Sequence, residues 1–422
     1  MDYRIFPPEE MIDATITLPL SKSISNRALI INALTPNALP LGVVAKCNDT
    51  DAMIEALTSD NDDVNIGAAG TAMRFLAAYF ASTPGRTVTL DGSARMRQRP
   101  IKALVDALRQ CGATIEYIGE EGFPPLRIEG RKLGGGNVSL PASISSQYIS
   151  ALLMIAPLME QGLTLILEGE IISRPYILMT LSMMNHWGVD CEFEGNVITI
   201  PHAMYKAVSF DVEADWSAAS YWYEISALSA GCIALRGLSN KSIQGDSRLV
   251  EYFQKLGVDS QFEDGELSLM PSPEQLSHIE LDLSEQPDIA QTIAVTCCML
   301  RIPFKLTGLA TLKIKETDRL EALKTELAKL SFDLRIEHDS VLIWDGEQHP
   351  IFERPCIDTY EDHRMAMAFA PVALYIPGVI INDIEVVAKS YPEYWEHLSE
   401  AGFTCIDASL PLEQIEDVAT EE

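Results

Sequence analysis

The chain has 422 residues, 47% of them apolar and 22% charged, which excludes disorder and collagen-like repeats and, at roughly 150 residues per domain, gives two or three domains. Its 31 Lys and Arg face 61 Asp and Glu, a formal charge of −30 that repels a polyanionic backbone and excludes general nucleic-acid binding. Its 8 cysteines form no CxxC pair, and no apolar run is long enough to span a bilayer, so neither a zinc site, a disulfide framework nor a membrane anchor is expected and a cytoplasmic location is.

In chain order, the first signal is the polar cluster Ser21-Lys-Ser-Ile-Ser-Asn-Arg27 opening an apolar helix, followed by a short helix candidate over 52–57. Gly70-Thr-Ala-Met-Arg74 opens a second apolar helix. The spacing of Ile101, Leu104, Val105 and Leu108 then predicts an amphipathic helix over 101–111, stopped by Gly112 and followed by an alternating strand over 113–117. Ser145-Ser-Gln147 opens the next apolar helix, and Ile177, Leu181, Met184 and Trp187 lead to Gly188 and a strand. The sequence repeats this alternation three more times. Asp215-Trp-Ser-Ala-Ala-Ser220 precedes Leu249, Phe253, Leu256 and Gly257, and Pro287-Asp-Ile-Ala-Gln-Thr292 precedes Leu320, Leu323, Leu327, Leu330 and Ser331. Asp362-His-Arg-Met365 precedes Trp395, Leu398 and Gly402. A run of acidic residues over 411–422 reads as a solvated tail.

The stops at 112, 188, 257, 331 and 402 and the polar clusters near 71, 145, 217, 288 and 363 recur in phase, at about 70 residues per repeat. Six copies of one α/β unit follow, three to a domain. A helix that is apolar all round belongs in an interior, so each domain gathers three such helices inside a shell of sheets and amphipathic helices.

Helix N-termini carry unpaired N–H groups and about half a positive charge, and they favour anions. Lys22, Arg27, Arg74, Arg99, Arg174, Lys315, Arg319, Arg364 and Lys389 lie in or beside these clusters, so an acidic molecule keeps a local positive hole for small polyanionic metabolites. Taken singly, Ser21, Ser145 and Ser217 are ordinary N-caps, Lys315-Glu-Thr-Asp-Arg319 is a solvated helix entry and Asp362-His-Arg364 a structural network; it is their recurrence in phase that favours a site. The seven histidines lack HExxH spacing and Gly134-Gly-Gly136 lacks a P-loop lysine, so no metal and no nucleotide cofactor is expected.

Nine segments in order resemble the 5-enolpyruvylshikimate-3-phosphate synthase family (3-phosphoshikimate 1-carboxyvinyltransferases) over nearly the whole chain. They are Leu18-Pro-Leu-Ser-Lys-Ser-Ile-Ser-Asn-Arg-Ala-Leu29, Ala69-Gly-Thr-Ala-Met-Arg74, Arg95-Met-Arg-Gln-Arg-Pro-Ile101, Ser145-Ser-Gln147, Ser173-Arg-Pro-Tyr176, Pro287-Asp288, Lys315-Glu-Thr-Asp-Arg-Leu320, Asp362-His-Arg-Met-Ala-Met367 and Ala388-Lys-Ser-Tyr-Pro392. The resemblance implies an α/β (α+β) fold of the inside-out α/β barrel type, two similar domains of three βαβαββ units each. One would comprise 1–18 with 214–422 and the other 19–213, with crossovers near 19 and 213–215 and substrates in the cleft between.

It also implies transfer of the enolpyruvyl group of phosphoenolpyruvate to the 5-hydroxyl of shikimate 3-phosphate, a step towards chorismate and the aromatic amino acids, with no cofactor. Lys22, Ser23, Arg27, Ser145, Ser146, Gln147, Ser173, Asp288 and Lys315 resemble the shikimate-phosphate contacts. Lys22, Gly70, Arg99, Gln147, Arg319, Arg364 and Lys389 resemble the phosphoenolpyruvate contacts. Asp288 is the candidate base for the 5-hydroxyl with Lys22 beside it, and Glu316 the candidate donor to the methylene carbon. A monomer is expected.

Leu20 stands where relatives have Gly, Ala68 and Thr311 where they have Asn, and Phe75 where many have Pro. UDP-N-acetylglucosamine enolpyruvyl transferase, which typically uses a loop cysteine as acid, is the second enzyme reading. Cys111 is the nearest candidate for that cysteine and is expected to pack at a helix end. A non-catalytic anion-binding repeat protein is the third.

Overall fold

The computed structural model describes residues 1–229, 231–350 and 355–410; the acidic tail read at 411–422 lies outside them. The chain divides into two compact units, one of Met1–Pro19, Ala214–Asn240 and the chain from Asp246, the other of Leu20–Glu213 with Lys241–Gly245. The family resemblance would leave 241–245 with the first unit. They group with the second because Gln244 accepts from the Ser21 hydroxyl at 3.0 Å and donates to Glu213 at 3.0 Å.

Three four-stranded sheets build the first unit. Ile279–Asp282, Phe304–Thr307, Val341–Trp344 and Arg335–Glu337 lie side by side in that order, the first pair parallel and the others antiparallel. Asp13–Thr17, Cys232–Arg236, Glu266–Gln275 and Leu256–Glu263 repeat the pattern. So do Cys356–Ile357, Val379–Ile381, Tyr3–Phe6 and Thr404–Asp407. The N-terminal strand Tyr3–Phe6 thus completes the last repeat of the chain, and Asp13–Thr17 begins the first repeat of this unit. A right-handed parallel crossover needs a helix between its strands, which is where each buried helix sits. Those helices are Trp216–Ser229, Ala290–Met299 and His363–Phe369, and all residues of the latter two are buried.

The second unit carries the same topology twice. Asp63–Asn65, Thr87–Asp91, Leu126–Glu129 and Thr114–Tyr117 form one sheet, and Gly136–Pro141, Leu163–Glu168, Val197–Ile200 and Glu192–Glu194 the other. The expected third repeat keeps its helices, Lys22–Ala33 and Asn48–Thr58, but no sheet is assigned to it among the described residues. Its connecting segment carries Pro36 and Pro40, which remove ladder donors, and its apolar residues do not alternate.

The predicted stops hold for one backbone reason. Gly112, Gly188, Gly257 and Gly402 have φ between 81° and 101°, a region costly for a side chain, and Ser331 adopts it too at 70°. Ahead of Gly112, Lys102–Gln110 turns Leu104, Val105 and Leu108 into the core; truncating Leu108 to Ala would cost about 2–5 kcal/mol. Cys111, at the end of that helix, is buried and its thiol is pushed up to about 11 by burial, so it packs rather than reacts. Among the described residues no helix is long and apolar enough to cross a membrane.

Candidate active site

Within the second unit, helix starts gather around Arg27. The Ser21 hydroxyl caps Lys22–Ala33 by accepting from the Ile24 amide at 3.4 Å, which leaves Lys22 and Ser23 on the first turn. Lys22 pairs with Asp49 at 3.2 Å. Arg27, one turn on, donates from Nε to Thr180 Oγ1 at 2.7 Å and from its two terminal nitrogens to the Ser23 carbonyl at 2.8 Å and Ser150 Oγ at 3.1 Å. It therefore ties the helix starting at Lys22 to Ser146–Ile155 and Arg174–His186. Its guanidinium also lies over the rings of Phe75 and Tyr176, 5.3 and 5.9 Å from the centroids.

The start of Gly70–Ser82 adjoins this group. A Cβ at Gly70 would come within 2.6 Å of the Arg99 guanidinium, so only glycine lets that fork approach the helix N-terminus. Arg74 donates to the Gly70 and Pro100 carbonyls at 3.1 and 3.3 Å. Gln147 donates to Thr71 Oγ1 at 3.1 Å, and the Ser145 hydroxyl accepts from the Gln147 amide at 3.4 Å, joining two helix starts. Ser173, buried with φ of 57°, precedes Arg174, whose guanidinium lies 4.0 Å from the centre of the Phe193 ring. Arg174 is thus turned onto an aromatic face.

In the first unit the charged groups alternate in sign. Asp288, in the turn Pro287–Ile289, meets Arg319 at 2.9 Å, Lys315 at 3.2 Å and Arg364 at 3.6 Å. Glu316 meets Lys389 at 2.8 Å and Arg319 at 3.0 Å. Arg319 also donates from Nε to Asp362 at 2.6 Å. Asp318 caps Arg319–Lys329 and Asp362 caps His363–Phe369, so both arginines stand on first turns. Arg364 reaches the Ser217 and Tyr221 hydroxyls at 3.4 and 3.5 Å, and Ser217 donates to Asp246 at 2.5 Å.

Burial raises the Asp288 carboxyl, but Lys315, Arg364 and Arg319 outweigh it and hold Asp288 well below the usual carboxylate range. Burial would lower Arg319, yet Asp362, Glu316 and Asp288 keep it above its ordinary value. Asp246 is pushed up to about 6 by burial and by Asp288, against the pull of Arg364 and the Ser217 hydroxyl. Arg27 falls to about 10 through burial.

The residues assigned to the two substrates lie in one of these two groups or at a helix start beside them; Cys111 stands apart, at a helix end. Asp246, Asp49 and Asp362, which complete the charge balance, carry no chemical assignment in the sequence reading. Asp362 sits inside a motif and was legible there; Asp246 and Asp49 sit in no repeated pattern, and only the folded chain brings them to Arg364 and Lys22. Thr311 is buried with its hydroxyl unpartnered. Among the described residues no group of three or more His, Cys, Asp or Glu could hold a metal ion.

The family model for EPSP synthase (3-phosphoshikimate 1-carboxyvinyltransferase) matches residues 57–398. A 3-phosphoshikimate 1-carboxyvinyltransferase from Bacteroides fragilis is 52% identical over 405 residues, covering 96% of this chain and 98% of the relative. One from Vibrio cholerae is 36% identical over 429 residues, covering 95% of this chain and 99% of the relative. A solved EPSP synthase from Acinetobacter baumannii superposes with a TM-score of 0.76 at 22% identity, over 96% of this chain and 100% of that one, and shares its fold. On this evidence the chain belongs to the EPSP synthase family.

Proposed function

We infer that the chain transfers the enolpyruvyl group of phosphoenolpyruvate to the 5-hydroxyl of shikimate 3-phosphate, on the route to the aromatic amino acids. The 5-oxygen bonds to C2 as its proton leaves, and the methylene carbon gains a proton, giving a tetrahedral adduct. Phosphate then departs as the new methyl group returns a proton. Protons and electrons balance without a cofactor.

Shikimate 3-phosphate is assigned to Lys22, Ser23, Arg27, Ser145, Ser146, Gln147, Ser173, Asp288 and Lys315. Phosphoenolpyruvate is assigned to Lys22, Gly70, Arg99, Gln147, Arg319, Arg364 and Lys389. What supports the roles is the meshing of Asp288 and Glu316 with Lys315, Arg319, Arg364 and Lys389. Asp288, held ionised, is ready to accept the hydroxyl proton, with Lys22 sharing that task. In the resting charge balance it is a weak base, and substrate anions that engage Lys315 and Arg364 raise its proton affinity towards a useful value. Glu316 lies between Lys389 and Arg319, and when the phosphate and carboxylate of phosphoenolpyruvate take up these cations its protonated form is favoured. It then donates to the methylene carbon. The arginines balance the charge that develops in the adduct. The enzyme works as a cytoplasmic monomer.

The test is phosphate release from phosphoenolpyruvate with each acceptor in turn. Release is expected with shikimate 3-phosphate and not with UDP-N-acetylglucosamine; turnover of the nucleotide sugar alone would overturn the assignment.

A further inference from the structure

The turn that delivers Asp362 and Arg364 is held in an unfavourable backbone conformation. Tyr360 and Glu361 are consecutive non-glycine residues with φ of 55° and 56°, in the left-handed region where a Cβ is crowded. Such a pair persists only where its surroundings fix it. Here the fixing group is Glu326, on the helix Arg319–Lys329, whose carboxylate is fully buried. One of its oxygens accepts from the Tyr360 hydroxyl at 2.6 Å; the other accepts from the Asp358 amide at 3.0 Å and the Lys329 ammonium at 2.7 Å.

The same helix grips the far side of the turn. Arg319, seven residues before Glu326 and therefore about two turns away, donates to both oxygens of Asp362, at 2.6 and 3.3 Å. Asp362 in turn caps the helix that carries Arg364, accepting the Arg364 amide at 2.9 Å. The turn is thus pinned to one helix at both ends, with its two strained residues between the pins.

We propose that Glu326 and Tyr360 form a positioning clamp that sets the place of Asp362, and through it the two arginines assigned to phosphoenolpyruvate, Arg319 and Arg364. Neither clamp residue touches the assigned reacting groups. Released from Glu326, the turn relaxes out of the left-handed region and carries the Asp362 carboxylate away from Arg319. The inference rests on the enolpyruvyl-transfer reading above.

Tyr360→Phe removes one hydroxyl from a residue that is 37% exposed, so the variant folds. The clamp predicts a KM for phosphoenolpyruvate raised at least about fivefold, with the KM for shikimate 3-phosphate within about twofold and a single cooperative urea transition retained, because misplacing a binding fork by an ångström weakens the anion it holds. Glu326→Ala should show the larger rise. Glu326→Gln, which keeps an acceptor oxygen, should recover part of it. A KM for phosphoenolpyruvate in Tyr360→Phe indistinguishable from that of the unmodified chain, or a rise shared equally by both substrates, would overturn the clamp. If the unmodified chain released no phosphate with shikimate 3-phosphate, the activity reading itself would fail, and the clamp with it.

Discussion

Arg27 in the unit Leu20–Glu213 and Arg319 in the other unit are each 2% exposed, but their surroundings differ. Arg27 is held by two hydroxyls, a carbonyl and aromatic faces, and no carboxylate of the described residues lies within ion-pairing distance. Arg319 is shared among Asp288, Glu316 and Asp362. A desolvated cation without a counter-charge is prepared for an anion that arrives from outside, whereas a cation ringed by carboxylates fixes those carboxylates in place. The surroundings of Arg27 therefore suit the binding of an anion. The surroundings of Arg319 suit holding acids and bases in register as well as meeting a substrate anion.

The largest consequence concerns the ringed arginine. Arg319→Met leaves the fully buried Asp362 without its arginine and takes one of their cations from Asp288 and Glu316, and should cost about 3–5 kcal/mol in urea unfolding. A loss below about 1 kcal/mol would show that Arg319 does not hold these carboxylates.

Glu224 sharpens the contrast from the acidic side, because its carboxyl is fully buried with no hydrogen-bond partner and burial pushes it well above its ordinary value. Below that ordinary value both folded and unfolded chains hold the proton and nothing is lost. As pH rises past it the unfolded chain releases the proton first, so Glu224 destabilises the fold by up to about 1.4 kcal/mol per pH unit. Glu224→Met should therefore raise the urea midpoint more at pH 8 than at pH 5, and an equal gain at both would refute the account of this group.

The smallest stability effect belongs to Arg27→Met. Ser150 and Thr180 already lie 2.8 Å apart and can bond each other, so stability should stay within about 1 kcal/mol. Affinity for shikimate 3-phosphate, read by calorimetry, should nevertheless fall at least about tenfold. Unchanged affinity would remove Arg27 from the binding group.

Much of this architecture is legible in the chain because it repeats. Each amphipathic helix needs a left-handed residue at its stop, and each buried helix needs a capped, polar start, so Gly112 or Ser145 announces its element locally. No sheet is assigned to the third repeat of the second unit among the described residues; Pro36, Pro40 and the non-alternating run already argue locally against one, and the regular period of the repeats masks that signal. Asp246, Glu326 and Tyr360 escaped for a different reason. Their meaning lies in partners far along the chain, and nothing near them in sequence differs from an ordinary loop or helix face.

In the proposed mechanism Asp288 and Glu316 move the protons while the cations around them bind the substrates. Its most direct test is steady-state phosphate release by Asp288→Ala and Glu316→Gln, alongside shikimate 3-phosphate binding to Glu316→Gln. Turnover should fall at least about a hundredfold in each variant, with the fold intact and binding to Glu316→Gln retained. Near-normal turnover in both would rule out these proton-carrying roles.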